Sequence, residues 1–519
     1  MKRKNHLIAI LSVGIVMLTG CDKGFEELNK NPQGITSIEP GFVFTNGLRG
    51  TPSGGIESDQ TVAFQTLNAY SGLTTGFNLN QLQEAQNNGR WNNSFSGPVK
   101  NLTHVINAVK DVPERSNLYN EARIWLAYTY MNLVDTYGDV PYTEAGKAVL
   151  EGIFFPKYDK DSDIYVSLRT ELKEASAALD PAKNNEAKYD LFYQGDINKW
   201  KRLANSLLLR LGMRYSKQNP TLAAQIVTEA VNAAGGVMLT NADNVVITYN
   251  TVNTNGLNGL RNTNSNYYYF AEPFITQLRS TKYPRLKFLA AKYTNAGGDH
   301  SQVNPDTVIN NQVGFPIGQD NVSILTYPGR VIPTTAGGGF AYSQINFLSL
   351  GNALTPLHVV TNAQTKLLLA EAAKRGWVPG GDAQAEIYYQ AGVRASMDEY
   401  ALYPYGTTGF STIPAGVQTA YLNRVDVAYT PADALKLINI QYWIASFRNG
   451  TEAWVNRRRS GFPVLTPNPA SPVLAGDGFV HRFTYPVAEQ NTNTANYQNA
   501  KARIGGSDNF VTRVFWDIP

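Results

Sequence analysis

The chain has 519 residues, a formal net charge of +4, only 17% charged side chains and a mean hydropathy of −0.27. Near-neutrality implies no basic face for nucleic acid, and a single cysteine excludes disulfides within the chain and CxxC metal or redox sites. With 29 tyrosines and 11% aromatic residues, the polarity rests on neutral amides, hydroxyls and phenols, which suit recognition of neutral polar ligands.

Lys2, Arg3 and Lys4 precede an apolar run from Leu7 to Leu18, the pattern of an export signal over residues 1–20. The run is shorter than the roughly 20 residues a membrane-spanning helix needs. Leu18-Thr19-Gly20-Cys21 resembles the bacterial lipobox, in which a peptidase cuts before the cysteine and the thiol carries a diacylglycerol. The alternative is an ordinary secretory signal followed by a chance cysteine. Lipidated Cys21 would tether the mature chain to a membrane surface and leave no thiol for disulfide, nucleophile or metal site. Beyond it, "DKGFEELNKNPQGI" lacks periodicity and reads as an extended lead-in.

Phe95, Val99, Leu102, Ile106 and Val109 fall on one helical face. Glu121 to Tyr137 is apolar on more than one side, which predicts a helix packed on two sides and stopped by Gly138 and Pro141. Asp161 or Ser162 is expected to cap a helix carrying Ile164, Leu168, Leu172, Ala175 and Leu179, and Asp196 to cap the next, with Trp200, Leu203, Leu207 and Leu211 inward. Asn219-Pro220 opens another helix that Gly235-Gly236 ends.

From about 237 to 356 the pattern turns to Asn, Gly, Thr and Tyr, with helical stretches at 270–278 and 284–293. So long an irregular region points to function. Helical periodicity returns at 361–375 and 382–400, and Thr430-Pro431-Ala432-Asp433 opens a helix expected to run to Asn449 before Gly450. The expected fold is mostly α: helix pairs over about 93–236 and 361–450, stacked in a solenoid-like arc, supporting a loop-rich region.

HExxH, GxSxG and GxxxxGK[ST] motifs are absent, and the five histidines are scattered. No catalytic residue, metal ligand or cofactor is therefore assigned. Paired carboxylates for a glycoside hydrolase leave no signature spacing, so that alternative stays open; Asp135 and Asp139 flank a helix end, where turn and cap roles suffice. Arg457, Arg458 and Arg459, between Trp454 and Phe462, read as a solvated run or helix C-terminal charge set, with carboxylate binding within the fold or on a partner as the alternative.

Several segments, taken in order, resemble the SusD/RagB family of nutrient-binding outer-membrane lipoproteins, in its second SusD-like branch: "FEELNKNPQGI", "EARIWLAYTYMNLVDTYGDVPYTEA", "WKRLANSLLLRLGMR", "LLLAEAAKRGW", "YYQAGVRASMDEY", "INIQYWIASFRNGTEAWVNRRRSGFPVL" and "YPVAEQNTN". The chain departs from the family where Lys282-Tyr283-Pro284-Arg285 stands in place of an expected DPR. The resemblance implies one domain over 21–519 with four tetratricopeptide-like helix pairs. It also implies a lid on a SusC-like TonB-dependent outer-membrane transporter, capturing oligosaccharide or peptide. An aromatic platform with amide neighbours is the chemistry a glycan needs, so Trp91, Phe77, Tyr70, Tyr268 and Tyr327 are the candidate stacking rings, with Asn78 and Arg90 as hydrogen-bonding partners. A helical scaffold lipoprotein that binds only other proteins is the remaining alternative.

Overall fold

The computed structural model describes residues 38–50, 59–70, 76–79, 84–263, 267–294, 305–329, 339–470 and 477–519; the expected export signal over 1–20 and Cys21 lie outside them. The longer helices are α1 (Pro40–Arg49), α2 (Glu84–Ser94), α3 (Lys100–Val109), α4 (Ser116–Tyr137), α5 (Asp161–Ala178), α6 (Ile197–Arg214), α7 (Pro220–Asn232), α8 (Glu272–Ser280), α9 (Asn362–Lys374), α10 (Gly381–Asp398), α11 (Ala434–Ala445), α12 (Gly450–Ser460) and α13 (Thr494–Arg503). Helices adjacent in sequence pack together: α3 on α4, α5 on α6, α9 on α10, α11 on α12. These pairs join into one body through α4 on α5, α6 on α9 and α9 on α11. The mostly helical expectation holds.

Local chemistry explains several helix starts. Asp196 accepts hydrogen bonds from the backbone of Asn198 and Lys199, and Asn219 accepts from Leu222 with Pro220 in the first turn. Thr361 and Gln364 form a reciprocal capping box. Helix α4 is buried on nearly every side and ends at Gly138, whose φ of +77° suits a residue without a side chain.

Other boundaries move. Residues 95–99 form a separate π turn, because Gly97 leaves helical geometry ahead of Pro98. Helix α5 starts at Asp161 itself, so Lys160 is its cap. The stretch expected to be helical over 284–293 is helical only over Leu286–Leu289. Gly450 does not stop a helix but opens α12, with the Asn449 side chain accepting from Glu452 N–H.

The arginine run corrects the expectation of a solvated face. Arg459 is 1% exposed and binds Glu371 through both terminal nitrogens at 2.7 Å. Arg458 lies 3.8 Å over the Trp454 ring, and Arg457 lies 3.5 Å over Phe479. Buried charge survives only when paired or hydrogen-bonded, and here α12 delivers its last turn into the protein. Asp135 likewise serves the interior, accepting from Arg214 and Trp516.

A main apolar core runs through the helix pairs from Val43 to Trp516. A smaller cluster, including Leu67, Tyr269, Phe315, Ile324 and Tyr342, lies under the loop region. Between them sits a short antiparallel pair, β1 (Thr66–Asn68) with β2 (Tyr268–Phe270), registered Leu67 to Tyr269. Strand side chains alternate, so Tyr268 and Phe270 enter the main core and Tyr269 the small one. The pair thus fixes the loops to the helices.

One buried group gives a pH signature. Glu399 is 5% exposed and its Oε1 has no hydrogen-bond partner. Burial, aided by Asp398, pushes its carboxyl up to about 8 against the pull of Arg285. The folded chain then holds a proton that the unfolded chain releases above about 4.5, so stability falls as pH rises from there to about 8. Glu399→Gln is expected to flatten that slope, up to roughly 1.4 kcal/mol per pH unit, and to exceed the wild type in urea unfolding at pH 8; parallel slopes in both proteins would remove Glu399 as the cause.

Candidate functional site

The loop face holds two connected features. The first is a ring pair with one exposed and one half-buried member. Ala69 N–H donates to Tyr267 O at 2.7 Å, continuing the β1–β2 ladder by one residue. That places the Tyr70 ring 4.3 Å from Tyr267 with planes at 32°. Tyr70 remains 42% exposed, so the pair offers apolar ring surface to solvent.

The second is a cleft of about 520 Å³ between α8, the 463–469 segment and the small core. Phe64, Tyr327, Ile317 and Trp443 supply its apolar wall, and Thr276 and Gln277 of α8 its hydrogen-bonding edge. The exposed stripe of α8 arises from spacing: Phe274, Ile275 and Leu278 bury one face, which turns Pro273, Thr276, Gln277 and Ser280 outward. The only charged group in the described lining is Glu272. Hydrolysis of a glycosidic bond by paired acids takes two carboxylates.

Phe64 is held in the left-handed region, with φ at +58°. Two reciprocal bonds hold it there: Gln65 Nε2 donates to Trp443 O, and Trp443 Nε1 donates to Ala63 O, each at 2.8 Å. Such backbone geometry in a bulky residue costs on the order of 1–3 kcal/mol and persists where surroundings enforce it, most often at ligand sites. The clamp joins the cleft wall to β1 and thereby to Tyr70.

The residues singled out in the sequence separate into distinct roles. Tyr70 and Tyr327 present ring surface on the loop face. Trp91 does not: it is 4% exposed and enclosed by Phe95, Tyr137, Tyr158 and Tyr485, with ring centroids 4.7–6.0 Å away. Its helix, α2, packs on α4 and turns the indole inward. Tyr268 is also corrected, since the strand register sends it into the main core. Arg90, on α2, faces α4; burial lowers its pKa, against the charges of Tyr137, Tyr128 and Asp135.

Asn78 ties loops together instead of reaching a ligand. Its amide donates to Gln319 O at 2.7 Å and accepts from Gly318 N–H at 3.0 Å, while Asn468 donates to its carbonyl at 2.8 Å. Phe77 lies in the turn Gly76–Leu79, and its side chain falls outside the described residues. Tyr267, Phe64 and the α8 stripe were missed. Three adjacent tyrosines at 267–269 carry no sign of which one faces outward until the register is known. Among the described residues, no group of three or more His, Cys, Asp or Glu side chains is placed to hold a metal ion.

Comparison with known proteins agrees with this architecture. Residues 32–486 match the SusD-like_2 profile, described as starch-binding and associating with the outer membrane. A solved "chitin-binding protein" is 29% identical, with a TM-score of 0.77, over 93% of this chain and 100% of its own. A structure titled "Bacteroidetes AC2a SusD-like" is 25% identical, with a TM-score of 0.79 over the same shares. A chitin-binding SusD homologue from Flavobacterium johnsoniae, at 22% identity and a TM-score of 0.70 over 92% and 98% of the two chains, shares the fold. No curated protein matched the chain. A profile match over most of the chain, on this scaffold of helix pairs, means that the protein belongs to the SusD-like_2 family.

Proposed function

We propose that the protein is a non-catalytic, lipid-anchored receptor that captures a neutral oligosaccharide on its loop face. The observation that carries this is the cleft of about 520 Å³, which sets the Tyr327 ring in one lining with the hydrogen-bonding side chains Thr276 and Gln277 and a single charged group, Glu272. Sugars present C–H patches to rings and hydroxyls to amides, which such a mixture meets. The solved relative at 29% identity is named as chitin-binding, which makes a β-linked amino-sugar polymer the first ligand to test. Acyl chains on Cys21 would hold the receptor at the outer membrane, where it would cover a SusC-like TonB-dependent barrel as a lid. Closure of that lid needs the ligand to favour the closed state.

Calorimetry against chitin oligosaccharides, malto-oligosaccharides and short peptides tests this reading. Tyr327→Ala is expected to cost about 1–3 kcal/mol of glycan affinity, the value of burying one large side chain, or roughly 5- to 150-fold in Kd. Binding of peptides alone would replace the glycan by a peptide cargo, and shortened glycan products would make the protein a hydrolase. Pull-down of an outer-membrane barrel by the full chain tests the lid role; a blank pull-down with intact glycan binding removes it.

A further inference from the structure

A second cavity, of about 260 Å³, borders the C-terminal end of α8. Its lining comes from the end of α8, from residues 425–433 and from the outer side of α11. It shares Gln277 and Ser280 with the larger cleft. Helix α11 also serves both, giving Gln441 to the second cavity and Trp443 to the first. The two hollows are therefore neighbours across one strip of helix surface. From Glu272 to Ser280 that strip spans about 12 Å, at roughly 1.5 Å per residue.

The strip is chemically unused. Among the described residues, the side chains of Glu272, Thr276 and Gln277 make no hydrogen bond or ion pair, while Ser280 Oγ donates to Gln277 O at 3.1 Å. The far cavity has a different character from the near one. It has no aromatic ring in its described lining, and it carries Asp426, Asp433 and Lys436 with Thr430. Lys436 lies 3.7 Å from Asp433, and both are exposed. An aspartate accepts from sugar hydroxyls in charge-assisted hydrogen bonds and a lysine donates to them. At about 260 Å³ the hollow falls below the usual range of a free-standing small-ligand pocket, about 300–1,000 Å³.

Building on the capture of an oligosaccharide at the Tyr327 cleft, we infer that the bound chain continues over the exposed stripe of α8 into the Asp433–Lys436 hollow, a polar subsite that makes the protein selective for longer oligosaccharides. One end stacks on rings; the other end is read by hydrogen bonds. Short ligands fill the ring cleft alone.

Calorimetry of the full chain with chitin and malto-oligosaccharides, from dimer to hexamer, tests this. The hexamer of the ligand that binds is expected to be tenfold or more tighter than the dimer, as one or two additional net hydrogen bonds provide. Asp433→Ala/Lys436→Ala, both surface positions, is expected to weaken the hexamer roughly tenfold and leave the dimer unchanged, whereas Tyr327→Ala weakens both. Equal affinity for all lengths, a hexamer indifferent to the double variant, or a dimer weakened as much as the hexamer would each overturn the polar subsite while the ring cleft stands. No binding at any length would overturn the capture reading and the subsite together. Circular dichroism melts of the double variant check that its fold is intact.

Discussion

Arg459→Met is expected to lower the free energy of unfolding by about 3–5 kcal/mol, the cost of removing one partner from a buried ion pair. Arg459 and Glu371 are each 1% exposed at the side chain and 2.7 Å apart. Around them, Asn439 and Asn456 accept from Arg459, and Arg375 also reaches Glu371 at 2.8 Å. The pair links α12 to α9, two of the helix pairs that carry the loop face. Burial alone would raise the Glu371 carboxyl, yet the charge and hydrogen bonds of Arg459, with Arg375, hold it down at about 2.

The sign for pH follows. A depressed carboxylate contributes its stability above the unfolded value of about 4.5 and loses it as pH falls towards about 2. Urea titrations at pH 7 and pH 3 should show the wild type losing stability in acid, and Arg459→Met losing less of it over that interval. An Arg459→Met/Glu371→Leu protein should recover much of the deficit, since an apolar replacement of a buried pair is often neutral. A single variant as stable as the wild type would show that the pair contributes nothing net.

Trp91→Ala is expected to cost about 3–5 kcal/mol of stability, as truncation of a core aromatic does, and to leave the ligand affinity of the folded protein unchanged. The indole stacks near Tyr158 and meets Tyr137 and Tyr485 edge-on, at 5.2–6.0 Å. Removing it leaves a hole that four aromatic neighbours cannot all collapse into. Denaturant melts read the first effect and calorimetry on refolded protein the second. A full-strength melt with lost glycan affinity would return Trp91 to the binding site.

These two residues show where reading the chain succeeds and where it stops. Asp196, Asn219-Pro220 and Thr361 mark helix starts because capping involves only residues within a turn of each other. Gly450 misleads for the same reason: its neighbours fit a stop, but Asn449 caps a new helix whose position is set by packing on α11. The arginine run shows the same limit. Its charge favours water, and partners mostly far away in the chain, among them Glu371, Asp135, Asn439 and the rings of Trp454 and Phe479, make an interior place for it.

The candidate site was half legible. Tyr70 and Tyr327 sit in loop segments rich in small polar residues, and both reach the loop face. Tyr268 and Trp91 have the same composition around them and are buried. What separates them is strand register in one case and the face of α2 in the other. A one-residue shift in a strand exchanges inside for outside, which is why Tyr267 pairs with Tyr70 and Tyr268 does not.

By itself, the sequence determined most of the longer helices, the caps at Asp196, Asn219 and Thr361, the family and the neutral polar chemistry of the loops, because each depends on neighbours within a few residues or on the order of motifs along the chain. Only the tertiary structure decided which rings are surface and which are core, and that the exposed stripe of α8 borders two cavities. Exposure is settled by segments far apart in the chain, such as Phe64 against Trp443 or Trp91 against Tyr485, and no local pattern encodes those meetings.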